Sequence, residues 1–305
     1  MKRFIVKIIV ISLAVLIIFS VMNLVYINSD FFKTSMIDWT KFKDIPMGLD
    51  IVNTGSSHAT KGINYSLLDG YNCRNLAAGG QTFEYDLKLL EQFSSNLEKG
   101  GLVIIPVSYL SFSKIDEGRD KKQSLRYYRI LDREYINDFS ISNYILYKVF
   151  PVLTSDKELV SAVKREFNAD ADSFKMSDYT EKELADALLK NKAAYFDIYE
   201  YDDRQLNRLC SLVEFALARD MRPILVTIPV SDVYTGICND NIISDFYAGI
   251  DFVRDKYGVE YYDYGTDPDI VSNYELFKNT SHLSEDGSLL FSKKLFSDIG
   301  IYPGK

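Results

Sequence analysis

Apolar and polar positions follow two alternating patterns along most of the chain. Short apolar runs bounded by glycine or polar residues are typical of strands that are buried on both faces. These runs predict five strands, at residues 49–54, 72–76, 102–107, 223–228 and 259–262. Apolar residues at helical spacing predict helices at 83–97, 203–219, 240–257 and 285–299. Strands that alternate with helices predict an α/β fold, a three-layer α/β/α sandwich with a mainly parallel five-stranded sheet.

The N-terminus has a different pattern. Lys2, Arg3 and Lys7 precede an apolar run over residues 8–26, which is long enough to cross a hydrocarbon core of ~30 Å. No small-residue cleavage site follows the run, so it predicts an uncleaved signal anchor rather than a removed signal peptide. The positive charges before the run predict a single-pass protein of the cell membrane, with a cytoplasmic N-terminus and an extracytoplasmic domain.

The pattern also predicts the domain organisation. Residues 1–30 would form a cytoplasmic tip and transmembrane anchor, residues 31–46 a stem, and residues 47–305 the α/β domain. Residues 111–200 interrupt the strand–helix rhythm with dense charge and tyrosine, which predicts a helical insertion. Capping-box pairs at Ser155 with Glu158 and at Thr180 with Glu183 predict helix starts within it.

Composition narrows the classes of function. The 305 residues are 47% hydrophobic and 26% charged, as in ordinary globular proteins. A net charge of −8 without a basic stripe argues against nucleic acid as a partner. With two histidines and three cysteines at no metal-ligand spacing, we expect no metal and no cofactor. Cys73, Cys210 and Cys238 are expected to be small packing residues, with a Cys210–Cys238 disulfide as the alternative.

Two segments carry candidate chemistry. Residues 55–58, which read Gly-Ser-Ser-His, lie between the first strand and a helix, and His282 directly precedes the last helix. Both positions fall at the carboxyl edge of a parallel sheet, where such folds bind ligands. A serine hydroxyl needs an adjacent base, and imidazole is suited to that role near neutral pH. We therefore expect Ser57 to be a nucleophile and His282 its base; otherwise Ser57 would merely cap a helix.

These segments resemble the sequence blocks of the SGNH hydrolase superfamily, also called GDSL-type esterases. Residues 55–58 match the first block with Ser57 at the nucleophile, residues 75–81 resemble the second, and residues 279–282 resemble the last. The resemblance covers most of residues 48–110 and 222–299 but not the insertion. It implies an oxyanion hole formed by the backbone N–H groups of Ser57 and Gly80.

The chain departs from the family pattern at three positions. Ser56 replaces an aspartate of the first block, and Ser108 lies where the third block normally supplies an asparagine to the oxyanion hole. Because a hydroxyl can donate a hydrogen bond, Ser108 is the predicted substitute for that asparagine. Asn279 stands where the family has the aspartate that orients the catalytic histidine. An amide can hold the ring in the wrong tautomer, and that exchange costs about 10⁴ in kcat in a serine protease.

Three interpretations of the Asn279 substitution remain open at the level of sequence. A carboxylate could orient His282 instead, with the candidates Asp263, Asp267, Asp269 and Glu275. A backbone carbonyl could do so and leave a Ser–His dyad, or the enzyme could have become weak or inactive. His58 would either contact the substrate or cap the turn beside the nucleophile.

An anchored domain of this type is similar to the extracytoplasmic proteins of alginate acetylation and of D-alanyl-lipoteichoic acid biosynthesis. That resemblance implies a serine esterase or O-acyltransferase that acts on acyl esters of a cell-surface polysaccharide or teichoic acid. It also implies a membrane-bound O-acyltransferase as a partner. The alternative is a catalytically impaired scaffold that binds glycan or such an acyltransferase.

Overall fold

The computed structural model of the chain describes residues 2–29, 32, 39–115, 124–154 and 175–302. By their contacts these residues form two units. The N-terminal unit lies within Met1–Lys43 and Glu117–Asp172, and the α/β unit lies within Asp44–Asp116 and Ser173–Lys305. The α/β unit contains every candidate site residue, while the predicted domain boundaries stay predictions.

The α/β unit is built on a parallel sheet. Its strands are β1 (Leu49–Asn53), β2 (Cys73–Asn75), β3 (Leu97–Val107), β4 (Arg222–Thr227) and β5 (Glu260–Asp263). They lie in the order β2-β1-β3-β4-β5, and each neighbouring pair is parallel, which confirms the predicted sheet. Two further short strands, β6 (Phe277–Asn279) and β7 (His282–Leu283), form an antiparallel hairpin. Because the strand order changes direction between β1 and β3, a topological switch point lies at the carboxyl end of β1.

Ten α-helices occur in the described residues. They are α1 (Lys2–Asn28), α2 (Ser57–Gly62), α3 (Phe83–Gln92), α4 (Ile141–Tyr144), α5 (Glu181–Asn191), α6 (Asp203–Leu217), α7 (Asp232–Thr235), α8 (Asp240–Tyr257), α9 (Pro268–Val271) and α10 (Glu285–Asp298). Helices α1 and α4 belong to the N-terminal unit, and the other eight belong to the α/β unit.

Both faces of the sheet are covered. Ile51 and Ile104 pack in one apolar cluster with Phe291 of α10, and both strand residues are almost fully buried. Val52 and Val103, the next residues along the same strands, are equally buried and point to the opposite face because side chains alternate along a strand. There α6 packs against α3 and α8. The predicted three-layer α/β/α architecture is confirmed.

One predicted boundary is wrong. The helix expected over residues 83–97 ends at Gln92, and β3 already begins at Leu97. Leu97 pairs with Leu49 but Leu102 pairs with Ile51, so β3 carries extra residues that its neighbour lacks. At Gly101 a Cβ atom would lie 3.0 Å from the Asp50 carbonyl oxygen. In the sequence, Gly100 and Gly101 look like the end of a helix. In the structure they lie at an irregularity within β3.

The predicted insertion is only partly described. The capping box at Thr180 is confirmed, because Glu183 N–H donates to Thr180 Oγ1 at 3.3 Å and Thr180 N–H donates to Glu183 Oε2 at 2.9 Å. The capping box predicted at residues 155–158 lies outside the described residues.

The cysteines are all free thiols. The alternative of a Cys210–Cys238 disulfide is therefore wrong. Cys210 is buried, whereas Cys73 and Cys238 are half-buried.

Helix α1 has the length and apolar composition needed to cross a membrane, and it is the one helix with both properties in the described part of the chain. Its buried residues are Asn23 and Tyr26, while most of its apolar side chains are exposed. A membrane span or a signal sequence would have these properties, and the topology remains a prediction.

The turn after β1 should be intolerant of any side chain at Gly55. This residue has φ +110°, and a Cβ atom would lie 3.0 Å from both Ala59 Cβ and Pro106 Cγ. Gly100 also has a positive φ, +76°, but open space around it, so Gly100→Ala is a matched control. We expect Gly100→Ala to lower the free energy of unfolding by about 1–2 kcal/mol. Gly55→Ala should cost about 1–3 kcal/mol more because it also overpacks.

Urea unfolding of the full chain in detergent measures both variants. Equal losses of stability for Gly55→Ala and Gly100→Ala would show that crowding at the turn is not a constraint.

Candidate active site

The candidate nucleophile lies where β1 becomes α2. β1 ends at Asn53, the chain turns through Gly55, and Ser57 is the first residue of α2 rather than a residue before a helix at Ala59. The first N–H groups of a helix have no partner within it, so the Ser57 N–H is a donor available at this edge. The other end of α2 is fixed by the buried Ser292, whose hydroxyl donates to the Gly62 carbonyl at 3.1 Å.

A buried carboxyl group holds the nucleophile turn in place. Asp86, in the first turn of α3, is 1% exposed, and its Oδ1 accepts a hydrogen bond from Gly55 N–H at 2.8 Å. The same oxygen accepts from Gln81 Nε2 at 2.6 Å. Ala78 N–H in turn donates to the Gly55 carbonyl at 3.0 Å. Asp86 thus ties the Ser57 turn to the loop that contains Gly80.

Gly80 lies in that second loop. Its φ is +68°, and the adjacent Gln81 N–H donates to the Ala78 carbonyl at 3.0 Å, which closes a tight turn. The left-handed conformation explains a glycine at this position. The role of the Gly80 N–H as an oxyanion donor remains a prediction.

The candidate base lies in the hairpin of β6 and β7. Thr280 and Ser281 form its turn, and the Thr280 carbonyl accepts from both the backbone N–H and the hydroxyl of the buried Ser231, at 3.1 and 2.7 Å. This anchoring brings His282 to the nucleophile. His282 Nε2 lies 2.8 Å from Ser57 Oγ, so the structure joins the two residues that the sequence predicts to act together.

Asn279 faces the other nitrogen of the ring. Its Oδ1 atom lies 3.0 Å from His282 Nδ1 and also accepts the backbone N–H groups of Ser281 and His282, at 3.1 and 3.0 Å. Two backbone donors require an acceptor, which assigns the oxygen rather than the nitrogen of the amide to this position. Nδ1 must then carry the proton. This assignment leaves Nε2 unprotonated and able to accept the Ser57 hydroxyl, so the amide geometry is compatible with the productive tautomer.

The alternative carboxylates have other partners. Asp267 caps α9 through Asp269 N–H at 3.1 Å and pairs with Lys294. Glu275 lies 3.5 Å from Lys175, and Asp263 accepts from Tyr247 OH at 2.8 Å. The structure does not bring Asp263, Asp267, Asp269 or Glu275 to His282 Nδ1, whose side-chain neighbours are Asn279 and Ser281.

Electrostatics make His282 a weak base. Burial, together with the nearby Lys61 and Lys278, lowers the pKa of His282 to about 4. An amide oxygen at Nδ1 carries no full charge to offset these effects. The imidazole is therefore neutral at pH 7 and ready to accept a proton, but its protonated form is poorly stabilised.

His58 and Ser108 line one pocket beside this pair. The His58 ring centroid is 5.1 Å from that of His282, and burial, with a smaller effect from His282, lowers the pKa of His58 to about 3. Ser108 N–H is taken by Ser111 Oγ at 2.8 Å, which leaves the Ser108 hydroxyl as the group for the predicted oxyanion role. The pocket also contains apolar side chains such as Ile228. Its lining fits a small apolar group next to the site.

Asp86 and Ser231 support the site but belong to none of the motifs that the sequence predicts. Asp86 lies on the buried face of α3, three residues from Phe83 and four from Leu90, and a carboxylate at apolar spacing is a recognisable signal. Ser231 gives no such signal, because it is one of several polar residues after β4 and its partner is distant in sequence.

Comparison with solved structures finds proteins of similar fold. A GDSL-like lipase from Bacteroides thetaiotaomicron is 11% identical, with a TM-score of 0.42 over 89% of this chain and 97% of its own. A protein from Slackia heliotrinireducens that is assigned to the SGNH hydrolases is 15% identical, with a TM-score of 0.42 over 83% and 100%. A catalytic mutant of an acetylxylan esterase from Geobacillus stearothermophilus is 11% identical, with a TM-score of 0.39 over 86% and 99%. No family model and no curated protein matches the chain.

Two of these structures carry the family names that the sequence motifs resemble. With TM-scores of 0.39–0.42 and identities of 11–15%, these similarities carry no argument about family or activity. The SGNH resemblance and the membrane-anchored subtype therefore stay predictions, and the chemistry of this site rests on its own hydrogen bonds.

Replacing Asn279 with aspartate should strengthen the base. A carboxylate at Nδ1 stabilises the imidazolium and raises the pKa of His282 from about 4. The acid limb of kcat/KM for a small acetyl ester should therefore move to higher pH. We expect kcat to rise, but by less than the ~10⁴-fold seen in a serine protease, because there the amide also imposes the wrong tautomer.

Ser281→Ala is the matched control, because it removes a hydroxyl 3.2 Å from Nδ1 and keeps the backbone donors to Asn279. Its acid limb should stay where it is in the wild type. An acid limb that Asn279→Asp leaves unmoved would mean that residue 279 does not hold the ring.

Asp86 should make folding pH-dependent. Burial raises the pKa of Asp86 to about 7, despite the hydrogen bonds from Gln81 and Gly55. Its contribution to stability is therefore full below the unfolded-state pKa of about 4 and is lost as the pH rises through about 7. Asp86→Asn keeps an acceptor oxygen and cannot ionise, whereas Asp86→Leu loses both hydrogen bonds.

From pH 4 to pH 8, the unfolding free energy of the wild type should fall relative to that of Asp86→Asn, as measured by urea unfolding. Asp86→Leu should be destabilised at every pH, by about 1–3 kcal/mol for the unsatisfied donors. If the difference in unfolding free energy between the wild type and Asp86→Asn did not change with pH, Asp86 would not be a buried group that titrates in this range.

Proposed function

We propose that this chain is an SGNH-type serine enzyme for acyl esters, an esterase or O-acyltransferase anchored in the cell membrane. The observation that carries the proposal is the arrangement of Ser57, His282 and Asn279. The serine hydroxyl lies 2.8 Å from an unprotonated ring nitrogen, and the opposite nitrogen is held at 3.0 Å by an amide oxygen. A nucleophile, a base and an orienting acceptor in this order form the working part of a catalytic triad, and asparagine is the third member in papain-like proteases.

The first step forms an acyl-enzyme. Ser57 Oγ attacks the ester carbonyl carbon while its proton passes to His282 Nε2. The carbonyl oxygen becomes an oxyanion, for which the Ser57 N–H, the Gly80 N–H and the Ser108 hydroxyl are the proposed donors. The tetrahedral intermediate then collapses, and His282 returns the proton to the departing alcohol oxygen.

The second step passes the acyl group to an acceptor hydroxyl. His282 removes the proton of a water molecule or of a sugar hydroxyl, and that oxygen attacks the acyl carbon. Ser57 leaves as an alkoxide and regains its proton from His282. Water as the acceptor makes the protein an esterase, and a sugar hydroxyl makes it an O-acyltransferase.

The substrate and the location complete the proposal. The apolar helix α1 would anchor the domain on the outer side of the cell membrane, next to cell-surface polysaccharide or teichoic acid. The acyl group would be small, because the pocket beside the site is lined by His58, Ser108 and a few apolar side chains. A membrane-bound O-acyltransferase is the proposed partner that supplies or receives it.

The weak base sets the expected rate. Without a carboxylate at Nδ1, the imidazolium that forms during both steps gains less stabilisation than in a Ser-His-Asp enzyme. We therefore propose a slow enzyme rather than an inert scaffold. A scaffold has no need for a serine hydroxyl within hydrogen-bonding distance of an unprotonated imidazole nitrogen.

A fluorophosphonate probe on the full chain tests the nucleophile. The wild type should become covalently labelled, and Ser57→Ala should remove the label entirely. His282→Ala should slow labelling by about 10²–10⁴-fold, since the hydroxyl loses its base. Ser56→Ala is the matched control, because Ser56 is the adjacent serine and its side chain makes no capping hydrogen bond.

Mass spectrometry of the labelled peptide identifies the site. Labelling of the control at the wild-type rate, with none in Ser57→Ala, supports the enzyme. Absence of Ser57-dependent labelling in a folded chain would overturn it in favour of the binding scaffold.

A further inference from the structure

An apolar stripe lies on the surface of the N-terminal unit. Residues 141–154, called the amphipathic segment here, comprise α4, a π-helical turn at Ile145–Val149 and a 3-10 turn at Pro151–Thr154. Four of its apolar side chains are exposed at intervals of four residues. They are Ile141, Ile145, Val149 and Leu153, which are 67%, 45%, 44% and 50% exposed.

The spacing aligns these side chains on one side. Residues four apart are neighbours on a helix surface but drift round it when 3.6 residues make a turn. A π-helical turn has more residues per turn, so it slows that drift between Ile145 and Val149. The stripe therefore continues from Ile141 to Val149, and the exposed Leu153 follows in the 3-10 turn after the helix is capped at Phe150. A contiguous exposed apolar surface of this kind usually marks an interaction site.

The segment is attached to the apolar helix α1 through a buried amide. Asn23 Nδ2 donates to the Val149 carbonyl at 2.9 Å, and Asn23 Oδ1 accepts from Val152 N–H at 3.2 Å. The Val149 carbonyl ends the π-helical turn, where a helix leaves its carbonyl groups without internal partners. Asn23, which is 7% exposed, is one of the few polar residues of the apolar run, and its amide bonds both backbone groups at once.

The position of Asn23 determines where the amphipathic segment lies along the axis of α1. Asn23 lies five residues before the end of α1 at Asn28, which corresponds to about 7–8 Å along the helix axis. If α1 spans a membrane, that is the depth of the boundary between acyl chains and headgroups, where amphipathic segments bury their apolar face by about 5–10 Å. The stripe and the end of the span then lie at the same level.

The polar groups of the segment fit this boundary. Lys148, its one charged residue, is exposed and lies 5.6 Å from the centre of the Tyr144 ring. Tyr147 directly precedes Lys148, and its carbonyl accepts a hydrogen bond from Arg129 Nε at 3.1 Å. Tyrosines are enriched at membrane interfaces, and basic side chains there extend to the headgroups while their stems stay in apolar surroundings.

We propose that the amphipathic segment lies in the membrane interface beside α1, with Ile141, Ile145, Val149 and Leu153 inserted among the acyl chains near the headgroups. The occupant of the stripe is lipid rather than protein, because the stripe is joined by Asn23 to the one helix of the described chain that can span a bilayer. The N-terminal unit is then held by a span and a surface segment together. The interface goes beyond the proposed catalysis and does not depend on it.

Depth-dependent fluorescence quenching of the full chain in lipid vesicles tests the proposal. Trp39 is the only tryptophan of the chain, so Trp39→Phe gives a dark background for single probes at Ile145→Trp and Leu153→Trp. Both probes should lose fluorescence with lipids brominated close to the headgroup end of the acyl chain, and much less with aqueous iodide. Glu134→Trp, at an exposed charged position of the same unit, is the control and should show the reverse.

Every outcome decides the question. Quenching of both stripe probes by brominated lipid supports insertion. Quenching by iodide alone would place the stripe in water, and quenching by neither would place it against another copy of the chain; either result overturns the proposal.

A second pair of variants tests the attachment. Asn23→Leu removes both hydrogen bonds to the segment, and the Leu153→Trp probe should then lose its quenching by brominated lipid. Asn28→Leu is the matched control, because the Asn28 amide donates only to Leu24 of its own helix, at 2.8 Å. It should leave the quenching unchanged. Equal effects of the two substitutions would contradict a segment fixed by Asn23.

Discussion

One buried oxygen atom fixes the geometry on which the site depends. Asp86 Oδ1 accepts both the Gly55 N–H and the Gln81 amide, so it joins the end of β1 to the loop after β2. The family aspartate expected in the first block is a serine here, Ser56, and it makes no capping hydrogen bond. A carboxylate from α3 thus holds the nucleophile turn. Because Asp86 lies away from solvent, it resists ionisation, and the turn gains its rigidity at some loss of stability near neutral pH.

The second constraint is the choice of amide over carboxylate next to His282. Both can accept a hydrogen bond, so Asn279 preserves the tautomer and the orientation of the ring. Only the carboxylate carries charge, so the substitution changes the strength of the base and not its position. Lys61 and Lys278 act in the same direction by disfavouring the protonated ring. Compared with a site that has aspartate at this position, this one has the same ring orientation but a weaker base.

The fold could be predicted because the three central strands of its sheet are largely buried on both faces. Continuous apolar runs identify β1, β3 and β4, and helical spacing gives α8 to the residue. The start of β3 was mistaken because glycine at a strand irregularity and glycine after a helix look alike in sequence. Ser57 and His282 could be placed together because both follow strands of one parallel sheet. The acceptor role of Asn279 could not be predicted from the sequence, because it depends on which backbone N–H groups donate to its side-chain oxygen.

The hairpin that carries His282 has a consequence for how this chemistry is assembled. Asn279 and His282 face each other across a two-residue turn, so the base and its orienting group are one local piece of chain. The nucleophile belongs to another piece, 225 residues away in sequence; the two are joined by one hydrogen bond between the reacting side chains and by the packing of Leu283 in the same apolar cluster as Ala59. A small movement of the hairpin would then separate the hydroxyl from the ring without disturbing either. In the proposed mechanism, activity would then depend on the one distance between the Ser57 hydroxyl and the His282 ring.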